Sequence, residues 1–185
     1  MIDFNNAQRS VIPADTIATL HLKVRPGNAG EDNSLTRSKD GNSEALDCEF
    51  IVVDGPFAKR KFWDRFLING TTEGHAQAAE ITQSRLRAIL ESARGIKPDD
   101  MSDIAKQARK VAGFAEFDGL RFIGRVGIEP ASDKYPAKNT FLAAVTPDQQ
   151  DWYQVEQVAK QPGAPAAPAA PKAELAKIVR PAWAS

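Results

Sequence analysis

The chain has 185 residues, 42% of them hydrophobic, which is enough for one domain with a buried core plus a tail. Its 24 basic and 24 acidic residues cancel, and this counts against a protein that coats duplex DNA through bulk positive charge. No apolar run approaches the ~20 residues needed to span a bilayer. The start, Met1 to Asn6, lacks a secretion-signal pattern, and a single cysteine, Cys48, fits a reducing compartment. The expected location is the cytoplasm, with no membrane partner.

A first strand is predicted from about Ala18 to Arg25, where Leu20, Leu22 and Val24 alternate with polar residues. The polar stretch that follows, to Glu44, reads as a long mobile loop. A second strand runs from Ala45 to Asp54 with Leu46, Cys48, Phe50 and Val52 on one face, and Gly55-Pro56 turns the chain. The third strand, Lys61 to Asn69, is rich in aromatic residues. The period then changes. Ile81, Leu86, Ile89, Leu90 and Ala93 predict the inward face of a helix over Glu73–Arg94, capped by Thr71 or Thr72 and ended by Gly95. A shorter helix is predicted over Asp99–Ala112, with Met101, Ile104, Ala105, Ala108 and Val111 inward. Strands resume at Leu120–Ile128 and Asn139–Thr146, each ended by a proline. This order predicts a mainly β (α+β) domain over residues 1–158, resembling a five-stranded oligonucleotide-binding (OB) barrel with a helical insertion between strands three and four. Residues 159–185 read as a disordered tail: a proline–alanine linker followed by a C-terminal tip containing Trp183.

Little in the sequence suggests catalysis. His21 and His75 belong to no metal-ligand pair. Cys48 alternates with core residues. Asp99, Asp100 and Asp103 sit at an expected helix start, where acidic side chains favour the positive end of the dipole. No phosphate-cradling loop or nucleophile motif is present. No catalytic residue, metal or cofactor is expected, and the chain is read as a binding protein.

The cations and rings are more informative. Side-chain alternation places Lys23 and Arg25 opposite the apolar row of strand one. Lys61, Trp63 and Arg65 share one side of strand three, and Arg121 and Arg125 one side of strand four. Loops add Phe57, Lys59 and Arg60, and then Lys134, Tyr135 and Lys138. Cations that track phosphates beside rings that stack on bases are what tolerant single-strand binding requires. Trp63, Phe57, Tyr135 and Phe141 are the candidate stacking rings. The bland alternative is a set of solvating residues that discourage edge pairing.

Leu46–Phe50, the run Asp54-Gly55-Pro56-Phe57-Ala58-Lys59-Arg60-Lys61-Phe62-Trp63, the helix block Arg85–Leu90, Phe117–Phe122 and Tyr135–Asn139 together resemble a family of small phage and prophage proteins. The similarity covers roughly residues 1–150. Members are typically encoded among replication and recombination genes, and some are proposed to be single-stranded DNA-binding proteins with OB-like folds. The resemblance implies a bacterial host cell and a protein that protects and presents single-stranded DNA. It leaves open a protein-interaction accessory factor of a phage recombination or replication complex that does not touch DNA. It brings no catalytic motif. Bacterial single-strand binding proteins usually end in an acidic tip; here the end is basic, with Lys172, Lys177 and Arg180 before Trp183. Trp183 is the candidate anchor for a recombinase or replication partner, and self-association stays open.

Overall fold

The structure, a computed structural model, describes residues 11–157. The strands are β1 (Thr16–Val24), β2 (Leu35–Arg37), β3 (Ser43–Val52), β4 (Lys61–Gly70), β5 (Arg121–Glu129) and β6 (Lys138–Ala144). Between β4 and β5 come helix α1 (Glu73–Arg94), helix α2 (Asp103–Ala108) and a 3-10 turn at Phe114–Phe117. The fold is therefore mainly β with a few helices. The trace of residues 159–185 and of Trp183 lies outside the described residues.

All strand pairs are antiparallel, in the order β2-β3-β1-β5-β6, with β4 on the other side of β3. β3 is the organising strand. One edge pairs with β4 along its length, and the other is shared by β2 at Glu44–Leu46 and β1 at Cys48–Val52. Alternation explains the inner face, because Leu46, Cys48, Phe50 and Val52 all point one way and are almost fully buried. Phe50 stacks on Phe62 of β4 at 5.1 Å and on Phe141 of β6 at 5.0 Å, and meets Phe122 of β5 edge-on at 6.4 Å. Strands from opposite ends of the order thus converge on one ring, so the sheet is strongly curled.

The sheet is nevertheless open. Among the described residues β4 and β6 share no backbone ladder, and side chains span the gap instead. The Asp64 carboxylate accepts the Phe141 amide at 3.1 Å, and the Arg85 guanidinium donates to the Phe141 carbonyl. Arg85 also lies over the rings of Phe66 (4.8 Å) and Phe141 (5.1 Å). Phe141 pairs with Val126 of β5, and its backbone amide and carbonyl are satisfied by these side chains.

Helix α1 starts at Thr72, whose hydroxyl accepts the His75 amide, and ends at Gly95 in the left-handed conformation (φ 68°). Its inner face carries Leu86, Ile89, Leu90 and Ala93. Ser92 points the same way, accepting from the Ile123 amide and donating to its carbonyl. Ile81, expected inward, is exposed, because the buried stripe of α1 runs through Ala79, Thr82, Leu86, Ile89 and Ala93 and Ile81 lies off it.

The second helix is shorter than expected, and Met101 and Ile104 face solvent, Ile104 at 84% exposure. Only Ala105 of α2 is buried. A polar clamp replaces apolar packing here. Buried Glu91 of α1 accepts from Arg87 at 2.8 Å and from Arg109 at 2.7 Å, while Arg109 donates to the carbonyls of Lys97 and Asp100.

The stretch after β1 is also more structured than a mobile loop. Leu35 is buried and pairs with Ala29 in both directions. Gly27 allows that approach, since a Cβ there would lie 2.0 Å from the Leu35 carbonyl oxygen. Asp32 ties the stretch to the 3-10 turn by accepting the Ala115 amide at 2.9 Å. No described helix is long and apolar enough to cross a membrane.

Candidate nucleic-acid interface

The outer face of β3 and β4 follows from the same alternation that buries Phe62 and Phe66. With those rings inward, Lys61, Trp63 and Arg65 point out. On β3 the outward residues are Asp47 and Glu49. The register sets Lys23 of β1 beside Glu49, Glu49 beside Trp63, and Asp47 beside Arg65. Trp63 is 51% exposed, so a large ring stands on an open strand surface. Its indole nitrogen donates to Glu49 at 3.2 Å.

The two β4 cations of this face are tied down. Lys61 pairs with Glu49 at 2.8 Å, and Arg65 grips Asp47 with two hydrogen bonds of 2.7 and 3.1 Å. The Lys61 bond, against a smaller opposing effect of burial, holds the Glu49 carboxyl below its ordinary value. Burial works to raise the Asp47 carboxyl, but bonds from Arg65 and Thr36 and the charges of Arg65 and Arg25 outweigh it and hold it low. Both acids therefore stay ionised near neutrality. They orient the β4 side chains and reduce the field that a phosphate would meet.

A groove runs beside Trp63. A cavity of about 470 Å3 opens between the starts of β4 and β6, where Arg60, Lys61 and Trp63 face Lys138 and Asn139 across Val11 and Ile12. A smaller one of about 210 Å3 is lined by Arg25, Asp47, Trp63, Arg65 and Lys138 among others. Trp63 and Lys138 border both. Asn139 holds the groove wall, its side chain bonding both the amide and the carbonyl of Ile12.

The expected site residues fall into four sets. Lys23, Arg25, Arg60, Lys61, Trp63, Arg65 and Lys138 come together on this face or along its groove. Lys59, Lys134 and Tyr135 lie on exposed loops beyond it, Lys59 in a left-handed turn (φ 68°). Phe57 is half-buried, packs on the core and carries the Arg60 guanidinium 5.8 Å above its ring. Phe141, expected to stack on a base, is only 2% exposed and is a core ring between Phe50 and Phe122. Arg121 and Arg125 belong to a different surface.

That other surface, the exterior of β1 and β5, is covered by residues 152–157. Val155 packs with Ile123, Val145 and Ile17. Trp152 donates to the Ser92 carbonyl at 3.1 Å. Tyr153 bonds the Thr19 hydroxyl at 2.6 Å, which in turn donates to Asp54 at 2.9 Å. The Gln157 side-chain amide takes the place of a strand partner, its Oε1 accepting from the Arg121 amide at 3.0 Å and its Nε2 donating to the Arg121 carbonyl at 2.6 Å. Arg121 is half-buried here, and Arg125 lies 3.9 Å from Asp15.

Sequence reasoning missed the counter-ions and this strap. The signal for Asp47 and Glu49 was present, since they alternate with Cys48 and Phe50. For the strap it was weak: three rings or branched residues after Pro147 with no period.

Among the described residues no group of three or more His, Cys, Asp or Glu side chains could hold a metal ion. Burial, reinforced by the charges of Asp64 and Asp47, pushes the Cys48 thiol far up, so it is a poor nucleophile. Burial and then the Arg121 charge lower His21 from its ordinary value. What the face presents is an exposed indole beside cations, two of them paired with Glu49 and Asp47. A scan against family models gives no match for this chain, and no curated protein matches it in sequence.

Proposed function

We propose that this protein binds single-stranded DNA across β3 and β4, without base specificity, centred on Trp63. The observation that carries the reading is an exposed indole on a strand face with Lys61 and Arg65 on its own strand and Lys23 and Arg25 beyond β3. Such a ring stacks on any base, and the flanking cations follow the phosphates. The strand order supports an OB-like barrel, because β1 pairs with both β3 and β5 and the main helix lies between β4 and β5. In OB barrels the second and third strands bind oligonucleotides, framed by the loops after the first and fourth strands. Those strands correspond to β3 and β4, and the loops to residues 25–42 and 130–137. The phage replication or recombination setting rests on the family resemblance alone.

Titration of the full chain with oligo-dT and with a matched duplex, read by gel shift and tryptophan quenching, tests the proposal. Tighter binding to the single strand, weakening steeply with salt, is expected. Equal or absent binding to both at low salt would remove the reading.

One observation favours a second reading, a protein-interaction accessory factor: Glu49 and Asp47 neutralise much of the face. A protein partner bound there would show weak salt dependence and no competition from oligo-dT.

A further inference from the structure

A second cavity lies away from the Trp63 groove and has a different chemistry. It measures about 470 Å3 and sits between the stretch after β1 and the 3-10 turn. Its floor is apolar: Leu35 is buried, and Phe114 is half-buried against the core. Its rim carries Glu31, Asp32 and Glu116; Glu116 is paired with Arg94 at 3.7 Å, so the net negative charge there comes from Glu31 and Asp32. The Asp32 carboxyl accepts from Ser34 and from a backbone amide, which keeps it ionised. An apolar slot with an anionic rim fits a large ring flanked by cations.

The chain carries such a segment. Its end reads Lys177-Ile178-Val179-Arg180-Pro181-Ala182-Trp183, and Lys172 precedes it with Glu174 as the lone acid. The tether also starts in the right place. Gln157, the last described residue, is bonded to both backbone groups of Arg121, four residues beyond Phe117, where the cavity-forming turn ends. Four residues span at most ~14 Å. A proline-rich segment extends ~3.1 Å per residue, so residues 158–182 are long enough to reach the slot with slack. A tethered ligand of that kind reaches an effective concentration on the order of millimolar, above that of a free copy in dilute solution.

We propose that the C-terminal tip of this chain docks into its own cavity between residues 30–35 and the 3-10 turn, with Trp183 on the apolar floor and Arg180 and Lys177 at the acidic rim. The inference is independent of the ligand of the Trp63 face. It gives the tip a default seat from which a partner could release it.

Hydrogen exchange on the full-length protein at micromolar concentration tests this. Trp183→Ala and Arg180→Glu lie outside the described core, so both variants are expected to keep the fold, which unchanged protection in β3 and β5 verifies. Several-fold faster exchange over residues 29–36 and 112–118 is expected, larger for Trp183→Ala. Unchanged exchange there in either variant overturns the proposal. So does wild-type protection that disappears on dilution, because the occupant would then be the tip of a second copy.

Discussion

The two halves of the curled sheet carry similar exteriors in sequence and end up as different surfaces. On β3 and β4 the outward residues stay open, and ion pairs hold them around Trp63. On β1 and β5 a strap of residues 152–157 covers Thr19 and Ile123 and takes the backbone of Arg121. Alternation decides which side of a strand a residue occupies. Whether that side meets solvent is decided by chain that arrives from elsewhere. Basic residues on two strand exteriors are therefore not equivalent candidates for one ligand.

The largest expected effect breaks the covered half. Val155→Asp places an unpaired charge against Ile123 and Val145 and is expected to destabilise by roughly 2–4 kcal/mol. Chemical denaturation measures the loss, and hydrogen exchange should show residues 152–157 opening first. A change below about 0.5 kcal/mol would mean that the strap is not packed as described. On the open half, Trp63→Ala is expected to weaken oligo-dT binding by about 1–3 kcal/mol, with a much smaller effect on stability. Trp63→Phe should recover most of the binding. If Arg121→Ala weakens binding as much as Trp63→Ala does, the division into open and covered halves is wrong.

How far the sequence foretold this arrangement depends on how local each signal is. Helix α1 has the expected bounds, because a capping threonine and a left-handed glycine mark its ends within the segment itself. The long strands agree to within about two residues, since their alternation is continuous. Trp63 and its flanking cations were readable for the same reason. The buried role of Phe141 was not, because a bulge at Arg125/Val126 shifts the β5–β6 register and side chains bridge β6 to β4. Ile104 misled because an apolar residue in a short helix implies packing only if something lies opposite it. In α2 the holding force is Glu91 with Arg109, which are distant in sequence. Leu35 was the one large apolar residue in a polar stretch, and its pairing with Ala29 reveals the turn only once folded.

Within the open half, the counter-ions provide a finer test. Asp47→Asn and Glu49→Gln each release a cation now held at 2.7–2.8 Å. Each substitution is expected to tighten oligo-dT binding several-fold. Each should also steepen the salt dependence by up to ~0.7 in log–log slope, the increment for one added phosphate contact on a single strand. Weaker binding in both variants would show that the acids serve mainly to position Trp63 and Arg65 for the ligand.

The smallest effect lies at the boundary between the halves, at His21. Its register partners are Ile51 of β3 and Arg121 of β5, and burial followed by the Arg121 charge lowers its pKa from 6.5. Lys23 adds to that shift and Asp118 opposes it. The folded protein therefore disfavours the charged ring relative to the unfolded chain. Between the folded and unfolded pKa values the unfolded state binds more protons, so stability falls as pH drops below 6.5 and levels off below the folded value. NMR titration of the His21 ring proton should give a midpoint below 6.5, and His21→Gln should flatten that part of the stability profile. Arg121→Gln should move the midpoint back upward without restoring it fully, because burial is the larger cause. A midpoint at or above 6.5 in the intact protein would mean that the His21 ring is not buried between β3 and β5 as described, since the Arg121 charge is the smaller cause.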